Sequence, residues 1–478
     1  MLRKYIIIAA IIGLLTFSAG VLFYFPKSST PSSKKLFQPP VPYNVILVII
    51  DTLRADHLGM YGYSRNTSPN LDRLAKESIL FEQAITQAPY SLASQISLLV
   101  SQYPSVHGVI ETSDRLSLSS ITLAQILQET GYTTAAFAQI SGTEGYSLQG
   151  FDLYDRDFGP LGYLSQTIPP AVEWLRLNKG ENFFLFVQGY DVHPPLHKPE
   201  PFDHIFDPGY DGILSDHEQY YLDYTPNQTR DPNSILYSIK NINHNPVLSW
   251  NDKVIPLEQR DIDHVIAHYD GGILYTDSLL EEFFDTLKEM GVYDNSIIIV
   301  LSDHGEMLVD SLRREKDEND RLFGHGRLYE EVIHVPLFIK HPDFEGQRIS
   351  TQVQLIDIFP TILDFLHIPI SEEIKQRIQG KSLVPLIEDR ADEHFNEYVF
   401  GQADGHQPVF IRTVQWKLMV SEGYFELYNL QDDPKETQNV IDQYPDVAEK
   451  LKQKFEEWES TNLRKKSQLE KNHTIPDL

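Results

Sequence analysis

Cysteine is absent from this 478-residue chain, so neither a disulfide nor a thiolate metal site can form, and cysteine pairing says nothing of the redox compartment. Basic residues are also scarce: 40 Lys and Arg stand against 68 Asp and Glu, a formal charge of −28. That balance disfavours nonspecific attraction to nucleic acid or to an anionic membrane surface, and an anionic substrate would need a local positive site, such as a metal. Internal repeats are lacking. What is there, 41% hydrophobic and 23% charged, is an ordinary globular composition that can bury a large core, with one large domain and a smaller companion.

Long apolar runs are confined to Tyr5–Phe25, which follows Arg3 and Lys4 and precedes a Ser/Pro/Lys stretch ending at Lys35. The run is about long enough to cross a bilayer. Residues 1–25 are therefore expected to be a transmembrane anchor or an uncleaved signal, with 26–42 as a linker and the rest exported, periplasmic or extracellular. A cleaved signal peptide is the alternative, with Ser18-Ala19-Gly20 as its small-residue site.

Three short apolar runs end in residues with chemistry. Val45–Ile50 is followed by Asp51, Ser296–Leu301 by Ser302-Asp303-His304-Gly305-Glu306, and Phe183–Val187 leads on to His193. Such runs suit strands buried on both faces of a parallel sheet, and open α/β sheets place ligands at the carboxyl ends of their strands. Asp51, Asp303 and His304 together offer two hard oxygens and an imidazole, a donor set for one divalent cation of the calcium, magnesium or zinc type. Taken singly, each would read as a surface turn or a structural histidine.

The stretch Pro89–Pro104 reads as a loop turning into a helix over about Leu92–Gln102, which puts Ser91 at a helix N-terminus. Unpaired N–H groups and the positive end of the helix dipole gather there, so an anion can be held against Ser91 without a basic side chain. The plainer reading of Ser91 is a helix cap.

Further helices are expected at Asn70–Glu77, Ile121–Thr130, Ala171–Leu177, Leu257–Met290 and Leu355–Leu366. Strands alternating with helices predict an α/β fold, a mostly parallel sheet sandwiched by helices. Residues 199–256 lack periodicity and read as an insertion over the carboxyl edge, and Arg313–Arg321 as a charged surface loop. Short strands near Tyr398–Gly401, Val409–Thr413, Lys417–Ser421 and Phe425–Asn429, with a helix over Asp446–Ser460, predict a smaller C-terminal antiparallel-sheet subdomain. The expected organisation is a catalytic domain over 43–370, the C-terminal subdomain over 371–460, and a disordered tail over 461–478.

The chain resembles the sulfatases of the alkaline phosphatase superfamily from about Asn44 to Trp458. The motifs that carry the resemblance are Asn44-Val-Ile-Leu-Val-Ile-Ile-Asp-Thr-Leu-Arg-Ala-Asp, Thr67-Ser-Pro-Asn-Leu-Asp-Arg, Gly150-Phe-Asp, Tyr269-Asp-Gly-Gly-Ile, Ser302-Asp-His-Gly-Glu, Gly324-His-Gly and Glu426-Leu-Tyr-Asn-Leu-Gln-Asp-Asp-Pro. The resemblance implies an alkaline phosphatase-like fold and a nucleophile at Ser91. In the family, that residue of a Cys/Ser-x-Pro-Ser-Arg signature is converted to formylglycine by a formylglycine-generating enzyme. Here the segment is Ser91-Leu-Ala-Ser-Gln95, with Ala93 and Gln95 in place of the Pro and Arg. A single Asp51 stands where most relatives have two, and the family's Lys-x-His element is missing near Ala138.

By the same resemblance Asp51, Ser91, Asp303 and His304 hold one divalent cation, with Ca2+ first and Mg2+, Mn2+ or Zn2+ as alternatives. His193 and His325 meet the substrate's anionic oxygens. The expected activity is metal-dependent hydrolysis of a small-molecule or glycan sulfate ester, with no nucleic acid partner and with membrane tethering through the N-terminal run. Two rivals stand beside it. One is hydrolysis or transfer at a phosphodiester or phosphonate ester using unmodified Ser91, and the other is a non-catalytic binding protein.

Overall fold

Alternate side chains of β1 (Asn44–Ile50) enter different cores: Val45, Leu47 and Ile49 join one apolar cluster, Ile46, Val48 and Ile50 another, and all seven residues are buried. A strand covered by helices on both faces requires this pattern. Each fully buried aliphatic side chain is worth about 1.5–3 kcal/mol, so β1 alone anchors a substantial part of the core. The computed structural model describes residues 43–471 apart from 112, 140–148, 159–160, 195, 216–238, 243–244, 251–252, 309–322, 393, 404–407 and 422.

The main sheet also contains β2 (Ile79–Ile85), β3 (Thr133–Phe137), β4 (Leu153–Asp155), β5 (Phe183–Gly189), β9 (Ser296–Leu301), β10 (His334–Lys340), β11 (Gln347–Ile349) and β12 (Val353–Gln354). Among the described residues its nine strands run in the order β11-β2-β10-β9-β1-β5-β3-β4, with β12 beside β2. Of these nine, only β10 runs against its neighbours, antiparallel to β9 and β2. The mostly parallel α/β sheet is as expected, and β2 and β10 add strands that the sequence does not announce.

Helices α1 (Pro69–Lys76), α4 (Leu164–Asn178) and α5 (Gln259–Glu289) cover the face that carries Ile46, while α2 (Ser91–Val100), α3 (Leu123–Glu129) and α6 (Ile358–Phe365) cover the other. α4 starts at Leu164 and not near Ala171, because the buried carboxylate of Asp191 accepts the Leu164 N–H at 2.6 Å and stabilises its first turn. That partner is invisible to local periodicity.

The C-terminal sheet is antiparallel, β13 (Val399–Gln402), β14 (Val409–Arg412), β15 (Trp416–Ser421) and β16 (Tyr424–Asn429) in order, as predicted. α7 (Pro445–Lys471) packs on it through Ala448, Leu451 and Phe455. The disordered tail expected from residue 461 is corrected: α7 runs on to Lys471. Asn462, 2% exposed, bonds Ser105 and Gln379, and Lys465 reaches the Ile378 carbonyl at 2.7 Å.

Two further expectations change. The irregular insertion 199–256 contains a separate antiparallel sheet, β6 (Ile239–Ile242), β7 (Asn245–Trp250) and β8 (Lys253–Pro256), whose strands are too short for period-two alternation to stand out. The single-pass, membrane-tethered, exported placement is also corrected. Among the described residues no helix is long and apolar enough to cross a membrane, and the run Tyr5–Phe25 lies outside them. The charged loop Arg313–Arg321 lies outside them too.

Candidate active site

β1 and β9 pair in parallel with Ile49 opposite Leu301. β9 ends there and β1 one residue later, so following both chains two residues beyond that pair brings Asp51 and Asp303 side by side, and with His304 they present ligand atoms within 4.8 Å of one another. All three are buried. β5 lies on the other side of β1, with Gly189 opposite Ile50, and its continuation carries His193 to the same edge.

α2 supplies the next two groups. Its N-cap is Tyr90, in extended conformation, so Ser91 is the first helical residue and not the cap. Leu92, Ile96 and Leu99 sink into the core and fix the helix, which leaves the Ser91 hydroxyl at the sheet edge. There Oγ donates to Oδ2 of Asp51 at 2.7 Å and lies 3.2 Å from Nε2 of His304. One turn on, the Gln95 amide donates to Oδ2 of Asp303 at 2.7 Å, and between them Ser94 Oγ donates to the Asp303 carbonyl.

The histidines differ in how they are held. His304 directs Nδ1 at the Gly305 carbonyl, 2.9 Å away, so Nδ1 carries the proton and Nε2 turns its lone pair toward Ser91. Burial, reinforced by the neighbouring His325, holds its pKa well below the usual histidine range. His193 is pushed down to about 4, again by burial first and His325 next, and its Nδ1 faces the Pro194 carbonyl. His325 sits between them, its ring 4.5 Å from that of His304 and 5.5 Å from that of His193, with Nδ1 3.4 Å from Glu306 Oε2. Gly324 and Gly326 flank it at φ of 114° and 115°, a region closed to most L side chains, which accounts for the Gly-His-Gly motif. All six residues expected at the site from the sequence thus meet at one edge of the sheet.

Other contributors are harder to see in the sequence. Thr52 adopts φ of 58°, a strained conformation for a β-branched residue, directly after Asp51. The turn is held by Tyr269 on α5, whose hydroxyl donates to the Thr52 carbonyl at 2.7 Å and accepts from Arg54 N–H at 3.0 Å. Glu306, 1% exposed, backs His325. Both belong to the quoted motifs, Tyr269-Asp-Gly-Gly-Ile and Ser302-Asp-His-Gly-Glu, and motif membership is the signal that could have singled them out.

The donor set fits a divalent cation. Burial raises the pKa of Asp51 well above the carboxylate range, with the charge of Asp303 adding to it and the Ser91 hydrogen bond opposing. Asp303 is raised as well, by burial against the hydrogen bond from Gln95. Two buried carboxylates that disfavour each other's charge need a cation between them, and Oδ1 of Asp51 is buried with no hydrogen-bond partner. Asp51, Asp303, His304 and the Ser91 oxygen are the groups that could hold such an ion.

The family model described as Sulfatase matches residues 43–368. The chain belongs to the sulfatase family. A second model, N-sulphoglucosamine sulphohydrolase C-terminal, matches residues 319–461. An arylsulfatase of Clostridium perfringens is 26% identical over 448 residues, covering 83% of this chain and 90% of its own. A sulfatase of Formosa agariphila described as active on ulvan is 24% identical, covering 84% and 78%. Among solved structures, the phosphonate monoester hydrolase of Agrobacterium radiobacter superimposes with a TM-score of 0.67 at 20% identity, covering 88% of this chain and 96% of its own, a likeness of fold. As a sulfatase, the protein is a hydrolase acting on sulfate esters.

Proposed function

We propose that this sulfatase is a metal-dependent sulfuric ester hydrolase with Ser91 as the source of its nucleophile, and that Asp51, Ser91, Asp303 and His304 hold one divalent cation, Ca2+ before Mg2+, Mn2+ or Zn2+. The observation that carries the reading is the Ser91 hydroxyl, held 2.7 Å from Asp51 and 3.2 Å from His304 at the N-terminus of α2. When bound, the cation would polarise the ester's non-bridging oxygens and favour ionisation of the nucleophile.

The protein's own groups do the rest. Asp51 receives the Ser91 proton along a hydrogen bond already formed, and the free N–H groups at the start of α2 favour the developing anion. His193 and His325 converge where the leaving oxygen and the sulfuryl oxygens would lie. Nδ1 of His193 is turned to a carbonyl and carries the neutral ring's proton, so Nε2 faces the leaving oxygen and hands over a proton only as the imidazolium, a form that the charge of an anionic substrate would favour against burial. Glu306 keeps His325 oriented.

Aryl and glycan sulfate esters are the proposed substrate class, since one relative is an arylsulfatase and another acts on ulvan. Conversion of Ser91 to formylglycine, with a formylglycine-generating enzyme as partner, belongs to the same proposal. So does the division into a catalytic domain over 43–370 and a C-terminal subdomain over 371–460.

A second reading, phosphodiester or phosphonate ester cleavage by unmodified Ser91, is favoured by Gln95, a neutral amide where relatives use an arginine to steady the nucleophile. Parallel assays on aryl sulfates, sulfated oligosaccharides, phosphate diesters and phosphonate monoesters separate the two, with the mass of the Ser91 peptide measured on the same preparation. Sulfate turnover that vanishes in Ser91→Ala is the expected result. Faster turnover of the phosphorus esters, with Ser91 unmodified, would transfer the proposal to the second reading.

A further inference from the structure

A second constellation of histidines and carboxylates lies where the His193 loop meets α5. That loop, from Tyr190 to about Asp207, rests directly on the helix. A Cβ on Gly271 would collide with the Phe202 carbonyl, and one on Gly272 would come within 3.2 Å of Lys198 and 3.3 Å of the Asp191 carbonyl. Just before these glycines, α5 carries His264 and His268, each 1% exposed. Their spacing of four residues puts both imidazoles on one helix face.

Each imidazole is backed by a carboxylate from the loop. Nδ1 of His264 is 2.9 Å from Asp207 Oδ2, and Nδ1 of His268 is 3.2 Å from Asp203 Oδ1. Asp207 is also held by the guanidinium of Arg260, which donates to both of its oxygens. A carboxylate oxygen accepts in such a contact, so both Nδ1 atoms are the proton donors, which fixes the tautomers and sends Nε2 of each ring toward the other, 3.1 Å apart. Two nitrogens that meet this way share a cation, either a proton or a metal. His197 and His204 stand on the other oxygen of Asp203, at 3.0 and 3.6 Å.

We propose that His264 and His268, oriented by Asp207 and Asp203, form a second cation site that takes a borderline transition-metal ion such as Zn2+ and fastens the His193 loop to α5. The carboxylate–imidazole pairing is the outer-shell arrangement that orients metal-ligating histidines, and two histidines four apart on a helix face are a recurring zinc-binding pair. A Zn–N bond is about 2.0–2.1 Å, so nitrogens 3.1 Å apart can share one ion standing off the line between them. Imidazole donors select Zn2+, Co2+ or Ni2+ over the hard Ca2+ or Mg2+, which separates this site in chemistry from the one at Asp51.

Equilibrium dialysis of the full chain against Zn2+, in saturating Ca2+, tests this. One Zn2+ per chain is expected, retained in Asp303→Asn and weakened about tenfold or more in His264→Gln and in His268→Gln, with a Zn2+-dependent rise in Tm in wild type that both variants lose. Should the variants fold poorly, Co2+ added to wild type gives a second readout, the visible absorption of an imidazole-bound ion. No uptake by wild type, uptake lost in Asp303→Asn, or uptake indifferent to both histidine variants would overturn the proposal and leave a shared proton as the occupant.

Discussion

The side chain of Gln95 donates to Oδ2 of Asp303 at 2.7 Å from within α2, so the helix that presents Ser91 also orients a carboxylate on the neighbouring strand end. Removing that donor in Gln95→Ala should weaken divalent-ion binding about 10- to 100-fold, the usual cost of losing a group that orients a ligand. Calorimetric titration measures it, and unchanged affinity would show that the amide does not orient Asp303.

Asp303→Asn and Ser91→Ala should separate metal binding from chemistry. The first removes one of the two charges that call for a cation, so metal analysis should find the ion lost together with activity. The second should abolish hydrolysis while the ion is still bound, more weakly for want of the Ser91 oxygen, since both carboxylates and His304 are intact. An Asp303→Asn protein with full metal content would rule out the assigned ligands.

Tyr269→Phe should cost about 1–3 kcal/mol of stability, because it leaves the buried Thr52 carbonyl and Arg54 N–H without their hydroxyl partner. Urea unfolding gives the number. Activity should fall further than a stability loss of that size predicts, as the strained turn after Asp51 relaxes.

His107 provides a pH test away from the site. Its Nδ1 accepts the Val109 N–H at 3.1 Å, so Nε2 carries the proton and faces Ser97 Oγ at 2.9 Å. Burial pushes its pKa down to about 3. The unfolded chain, near the ordinary 6.5, binds the extra proton first, so this contribution to stability is complete above pH 6.5 and drains away as pH falls toward 3. Unfolding free energy should lose up to about 1.4 kcal/mol per pH unit from this residue alone. His107→Gln should flatten the acid limb of a stability-against-pH curve by about one proton, and an unchanged slope would contradict the buried neutral form.

Where sequence reading succeeded and failed follows from the range of the interactions. β1, β5 and β9 were legible because a strand buried on both faces must be apolar throughout, and their polar sequels stand out by contrast. The C-terminal sheet was legible by alternation. The start of α4 at Leu164 and the continuation of α7 past residue 461 were not, since each depends on a partner far away in the chain, Asp191 for the first, Ser105 and Gln379 for the second.

By itself the sequence determined the residue types at the strand ends, the helix after Ser91 and the motifs that mark a sulfatase. Tertiary structure alone decided that Gln95 faces Asp303, that Tyr269 props the turn after Asp51, and that His264 and His268 meet nitrogen to nitrogen between two loop carboxylates. Periodicity encodes which face of an element is buried. It carries no information on which polar groups from distant segments arrive at the same point, because that is set by strand order and helix packing summed over the whole core.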